Sequence, residues 1–226
     1  MNPTNPHIVI YSHGFGVRKD DRGLFRAVAK AMPEATHILF DYSPFNASSK
    51  TLTVKPFNEQ AQKLRKVINT ARADHPGAVI DLVCHGQGCV PVGILKPRDI
   101  RKIIMIAPPD DVSETVLTAQ LSAQLGATID VETRIRIAQP DGDTVVVRPE
   151  YWQGLADIIP VKLYNRLAKF TKLRIINARH DEVLTPRSFE RLDPGISAVT
   201  LDGGHDFAEG ESRSRLLHIL QKELAV

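Results

Sequence analysis

The stretch VIDLVCHGQGCVPVG, residues 79–93, joins an apolar, β-branched run to a helix start through one sharp turn. Its centre, CHGQG, has nearly the form G-x-S-x-G. In that form the middle residue stands at positive φ and projects its side chain out of the turn. Small residues two before and two after let strand and helix pass closely, and here they are Cys84 and Gly88. The middle place belongs to Gly86, which has no oxygen or sulfur with which to attack. Three more loops carry side chains that can hold or move a proton: SHGFGV (12–17), ARHDEVLTP (178–186) and LDGGHDF (201–207). Cys84 would project from the strand end and Cys89 lies three residues past the apex, so neither replaces the missing nucleophile. Both read as free buried thiols, at home in a reducing compartment.

These loops need a scaffold. Residues 7–13, 36–42, 78–84 and 102–109 are apolar runs that predict strands. Between them, 22–32 and 58–75 carry apolar residues at helical spacing, as at Ala61, Leu64, Val67 and Ile68, and a helix starts at Gly88. This alternation predicts βαβ units and a parallel sheet covered on both faces. Residues 110–165 break the rhythm with a helical stretch, SETVLTAQLSAQL, and a period-two segment around PDGD that predicts a hairpin. The alternation then resumes with a strand in KLRIINARHDE, a short helix in PRSFERL, a strand in SAVTLDGGHDF and a closing helix in SRSRLLHILQKEL. The four chemistry-bearing loops thus fall at carboxyl ends of strands, where open parallel sheets bind ligands.

Loop order and residue types together resemble the α/β-hydrolase family over nearly the whole chain. The chain starts where the family's third strand usually lies, as in its small members. The resemblance implies one domain over 1–226: a mostly parallel sheet flanked by helices, with a cap or lateral insertion (110–165) between the fourth and fifth predicted strands. In the family the acid follows the penultimate strand and the histidine the last, in chain order nucleophile, acid, histidine. The matching positions are Gly86, Asp181 and His205. HGFG resembles the family's oxyanion-hole loop, which puts the two oxyanion donors at the backbone N–H groups of Phe15 and Gln87. His85 resembles ordinary elbow filler. His13, Tyr151 and Trp152 are candidate pocket residues, the two aromatics equally candidates for local core.

The resemblance implies hydrolysis of an ester or related acyl bond, on a small-molecule substrate and with no cofactor. The nucleophile's seat is vacant, whether by nature or by engineering, so acyl-enzyme chemistry is closed to this chain. The alternative is a non-catalytic module that binds an acyl ligand in the same cleft. GQGCVP also approximates a nucleotide-binding fingerprint, but it lacks the third glycine and follows the third strand rather than the first. No His/Cys/Asp cluster has metal-ligand spacing in the sequence. The net charge is +3 with no long basic run, which argues against a nucleic-acid partner. No apolar run is long enough to span a membrane and the start, MNPTNPHIVIYSHG, has no basic leader, so the expectation is a cytoplasmic protein.

Overall fold

A computed structural model describes residues 5–184 and 191–225. The first strand, β1 (His7–Ser12), is buried on both faces. Period two sends Ile8 and Ile10 to one apolar layer and Val9 and Tyr11 to the other. This is why the run reads as continuously apolar rather than alternating. The chain then passes through α1 (Leu24–Ala31), β2 (Thr36–Leu39), two short strands β3 (Phe45–Asn46) and β4 (Thr51–Thr53), and α2 (Phe57–Asp74). Next come β5 (Val79–His85), a single 3₁₀ turn, α3 (Cys89–Leu95) and β6 (Lys102–Ile106). α4 (Glu114–Leu125), β7 (Ile135–Ala138), β8 (Thr144–Val147), α5 (Pro149–Trp152) and α6 (Pro160–Leu167) follow. β9 (Lys172–Ala178), β10 (Ser197–Leu201) and α7 (Gly210–Leu224) close the chain.

The central sheet has the order β10-β9-β6-β5-β1-β2, and every pairing in it is parallel. α1 and α7 cover one face, while α2, α3 and α6 cover the other. The strand order reverses beside β1, with β2 on one flank and β5 on the other, which opens a crevice at the carboxyl ends of β1 and β5.

The interrupting segment does not stand alone. β7 and β8 form the expected antiparallel hairpin, but β8 also pairs in parallel with β4, giving a second sheet of order β3-β4-β8-β7. Two stretches far apart in sequence therefore build one lateral lobe. α6, which begins inside 110–165, packs instead on α3 in the main layer. A Cβ on Gly93 of α3 would sit 2.9 Å from Leu163 Cβ. The short helix expected over 186–192 lies almost wholly outside the described residues. No described helix is long and apolar enough to cross a membrane.

Candidate active site

The turn after β5 is built by close approach. A Cβ on Gly88 would lie 2.3 Å from Ser12 O and 2.4 Å from His13 O, so only glycine fits where the helix start passes the end of β1. Gly86 stands at φ +51°, the left-handed apex the motif demands. A Cβ built there would lie 3.1 Å from His205 Nε2 and 3.9 Å from Gly14 Cα. The apex therefore points at the imidazole and at the loop after β1. Cys84 and Cys89 are buried and not joined in a disulfide, and Cys84 Sγ donates to Ile104 O within the sheet.

His205 follows β10, and its Nδ1 lies 2.9 Å from Asp181 Oδ2 and 3.1 Å from Oδ1. A carboxylate only accepts, so Nδ1 carries a proton, and Nε2 is the ring nitrogen turned toward Gly86. Asp181 is itself fixed, because its Oδ1 accepts the backbone N–H groups of Val183 (3.0 Å) and Leu184 (2.7 Å). Glu182, beside it, accepts the backbone N–H of His205 at 3.0 Å. Gly204 permits that approach, since a Cβ there would come within 2.7 Å of Glu182 Oε2. His180 points away to pair with Asp202 at the surface.

A second imidazole–carboxylate pair lies beneath the first. His85 Nδ1 is 2.9 Å from Asp21 Oδ2, and its Nε2 is 3.1 Å from the backbone O of His205. Both partners are acceptors, so both ring nitrogens carry protons and the ring is an imidazolium. Burial opposes that charge, but the Asp21 carboxylate, with Asp206 and the His205 carbonyl, outweighs it and holds the His85 pKa above its ordinary value. Burial would likewise raise Asp21, yet His85 and the N–H of Gly14 hold it below the usual carboxylate range. That Gly14 N–H donates to Asp21 at 2.9 Å. One buried ion pair thus ties together the loop after β1, the β5 turn and the histidine loop. Asp21 is held in a run of three left-handed residues with Arg22 and Gly23 (φ 48°, 52° and 85°).

His13 behaves oppositely. Its Nδ1 donates to Gly14 O (3.0 Å) and its Nε2 accepts the N–H of Tyr42 (3.2 Å). The ring is neutral, and burial pushes its pKa below the ordinary value. It backs the Gly14–Phe15 loop and borders a separate, smaller cavity.

A cavity of about 200 Å³ opens between the site and the lobe. Phe15, Gln87 and His205 border it, with Leu117 and Leu121 of α4 and Ile137 of β7 supplying apolar wall. Gln120, Gln124 and Gln139 add neutral amides. Tyr151 also borders it and donates through its hydroxyl to Gln87 Oε1 at 2.7 Å. Trp152 is buried edge-on against Tyr151 (centroids 5.3 Å) and is not part of the cavity wall.

Among the described residues the fold makes one cluster that linear spacing concealed: His85, His205 and Asp206 bring one ligand atom each within 4.8 Å of one another. With both His85 nitrogens donating, that ring offers no lone pair to an ion, and the residues do not fit a metal. Asp21 and the three glutamines carry no mark in the sequence, and Glu182, which an extended loop would turn elsewhere, instead holds the His205 backbone. Asp21 and His85 are 64 positions apart, and only the turn geometry brings them together.

The architecture is that of the α/β hydrolases. No family model matches the sequence, and no curated protein matches it. Solved structures match the fold throughout. Est1E from Butyrivibrio proteoclasticus superposes with a TM-score of 0.69 at 17% identity, covering 99% of this chain and 89% of that one. Paleococcus ferrophilus monoacylglycerol lipase gives 0.66 at 16% identity, over 96% and 93%. The α/β hydrolase GrgF from Penicillium sp. sh18 gives 0.66 at 15% identity, over 99% and 92%.

Proposed function

We propose that this site handles the carbonyl of an ester or related acyl bond in the layout of a serine hydrolase, with its nucleophile seat vacant at Gly86. His205 is the general base, Asp181 fixes its tautomer, and the backbone N–H groups of Phe15 and Gln87 hold the oxyanion. The observation that carries this reading is the position of Gly86: a left-handed apex whose missing Cβ would lie 3.1 Å from Nε2 of a carboxylate-bound histidine. Structural neighbours that are an esterase domain and a monoacylglycerol lipase support the same chemistry. Without a hydroxyl at the apex the chain forms no acyl-enzyme, and a fluorophosphonate probe should leave it unlabelled there.

The direct test is Gly86→Ser. A Cβ at that spot is tight, so the imidazole must give by a few tenths of an ångström. The left-handed backbone adds strain of roughly 1–2 kcal/mol. The serine form should melt lower, take up the fluorophosphonate and hydrolyse short activated esters on the order of 10³-fold faster. Adding His205→Ala should abolish the gain. A well-folded serine form inert toward esters, thioesters and amides would leave a module that binds acyl ligands in the cavity. The neutral glutamines around the cavity give that reading its own footing, because they can hold a ligand without acting on it.

A further inference from the structure

We infer that the cavity between the site and the lobe takes an uncharged acyl group of about eight non-hydrogen atoms with an amide in its chain, and that the glutamines of α4 and of the end of β7 recognise that amide. This rests on the reading above, that an acyl group enters here. Size sets the length. A cavity of about 150 Å³ holds one benzene, so about 200 Å³ takes on the order of eight such atoms. The wall sets the chemistry. Leu117, Gln120, Leu121 and Gln124 border the cavity at spacings of three, four and seven, which is one face of α4. Leucine and amide thus share that face, and Gln139, just past β7, adds a third amide.

Three glutamines elsewhere in the chain are tied down. Gln60 donates to Lys55 O and Gln221 to Ala31 O, both at 2.7 Å, and Gln87 accepts from Tyr151. Among the described residues, the side chains of Gln120, Gln124 and Gln139 meet no such partner, and Gln120 and Gln139 are half-buried. A plain alkyl chain would strip water from these amides and leave them unbonded. A secondary amide carries a donor and an acceptor on adjacent atoms, the complement of a carboxamide side chain. Charge on the wall is already matched: Arg22 pairs with Asp206 at 2.9 Å and His85 with Asp21 at 2.9 Å. A carboxylate or ammonium on the acyl group would therefore lose water without gaining a counter-ion.

The test is binding to the whole glycine protein, read by titration calorimetry, so that it needs no turnover. Three methyl esters of matched chain length serve as probes: methyl δ-acetamidovalerate, methyl octanoate and the anion of monomethyl suberate. The amide ester should bind about 10-fold tighter than the octanoate, the worth of one or two neutral hydrogen bonds, and the suberate should bind weakest. Gln120→Leu combined with Gln124→Leu keeps good helix formers on α4 and should erase or reverse the preference for the amide. Circular dichroism checks that the variant is folded. Octanoate binding as tightly as the amide ester, an unchanged order in the folded leucine variant, or no binding of the amide ester would each overturn the inference. Tightest binding of the suberate would do so too, by revealing an unmatched cation. Gly86→Ser with p-nitrophenyl acetate, whose acetyl group fills only a fraction of the cavity, tests the acyl-site reading separately. An active serine form without the amide preference would strike the substrate class alone. An inert serine form with the preference intact would strike the hydrolase reading and leave the ligand class standing for a binding module.

Discussion

Two histidine–carboxylate pairs lie side by side in this molecule, their rings 4.6 Å apart, and they have opposite fates. In His85–Asp21 both ring nitrogens end on acceptors and both side chains are 2% exposed, so the ring is a cation with nowhere to send its proton. In His205–Asp181 Nδ1 is fixed, and Nε2 lies 3.1 Å from where a Cβ on Gly86 would stand. The same two residue types make a clamp in the first case and the proposed base in the second. What separates them is whether the second nitrogen meets a backbone carbonyl or faces the Gly86 apex beside the cavity. The proposed catalytic role thus depends on what stands at position 86 as much as on the dyad.

The comparison breaks most sharply if the two carboxylates are exchanged for amides in the Gly86→Ser form. Asp181→Asn should return ester hydrolysis to background, because an amide nitrogen facing Nδ1 forces the wrong tautomer. Its Oδ1 can still accept from Val183 and Leu184, so the melting temperature should move little. Asp21→Asn should do the reverse in proportion. It leaves a buried imidazolium without its anion, and breaking such a pair costs about 3–5 kcal/mol. Calorimetry alongside the ester assay separates the two. Equal stability losses for both substitutions would end the distinction between clamp and base.

The same pair predicts a pH signature for stability. The pKa of His85 is raised above 6.5, so its contribution is complete below that value and is lost as pH rises through the folded-state value. The pKa of Asp21 is lowered below 3.8, so its contribution is complete above that value and is lost as pH falls through the folded-state value. The deficit of Asp21→Asn against the parent should therefore be largest between those two ordinary values and shrink toward alkaline pH. Thermal melts from about pH 4 to pH 9 would read it, and a deficit that grows with pH would contradict the imidazolium.

A smaller effect belongs to Glu182. Removing the acceptor of the His205 N–H with Glu182→Ala should cost about 1–3 kcal/mol. Glu182→Gln keeps an acceptor oxygen and should recover most of it. In the serine form the rate should follow the same order, since a loosened loop misplaces the base. A glutamine variant as damaged as the alanine one would show that charge, rather than position, is what Glu182 supplies.

Much of this was legible in the residues, for identifiable reasons. β1, β5 and β6 are buried on both faces and announce themselves as unbroken apolar runs, and α2 shows its stripe. The loops holding Gly86, Asp181 and His205 are marked by residue type and by their place after strands. What stayed hidden is what depends on pairing across the fold. β3 and β4 are two and three residues long, too short for any period, and it takes pairing with β8, far along the chain, to join them to a larger sheet. Asp21, in DDRG before a helix, looks like a solvated cap until the turn brings it under His85. His85 itself passes for filler, because the protonation that defines it is set by a carbonyl 120 positions away.

The finest test of the comparison concerns Tyr151, which stands between the two roles. Its hydroxyl donates to Gln87 Oε1, and Gln87 supplies one of the proposed oxyanion donors through its backbone. The ring packs against Phe15, the other proposed donor, at 5.8 Å between centroids. Tyr151 therefore braces the donors in the way His85 braces the loops, yet it also borders the cavity. Tyr151→Phe keeps the ring and removes only the hydroxyl. One neutral hydrogen bond is worth about 0.5–1.5 kcal/mol, and at this chain length about 1 kcal/mol shifts the melting temperature by roughly 2–4 °C. In the Gly86→Ser form a bracing role predicts a kcat lowered by a few-fold with KM unchanged, since the amides stabilise charge that develops only in the transition state. A substrate-contacting role predicts the opposite split, KM raised and kcat kept. Steady-state kinetics on one short and one long acyl ester would decide between them, and a rise in KM confined to the long ester would assign Tyr151 to the pocket rather than to the clamp.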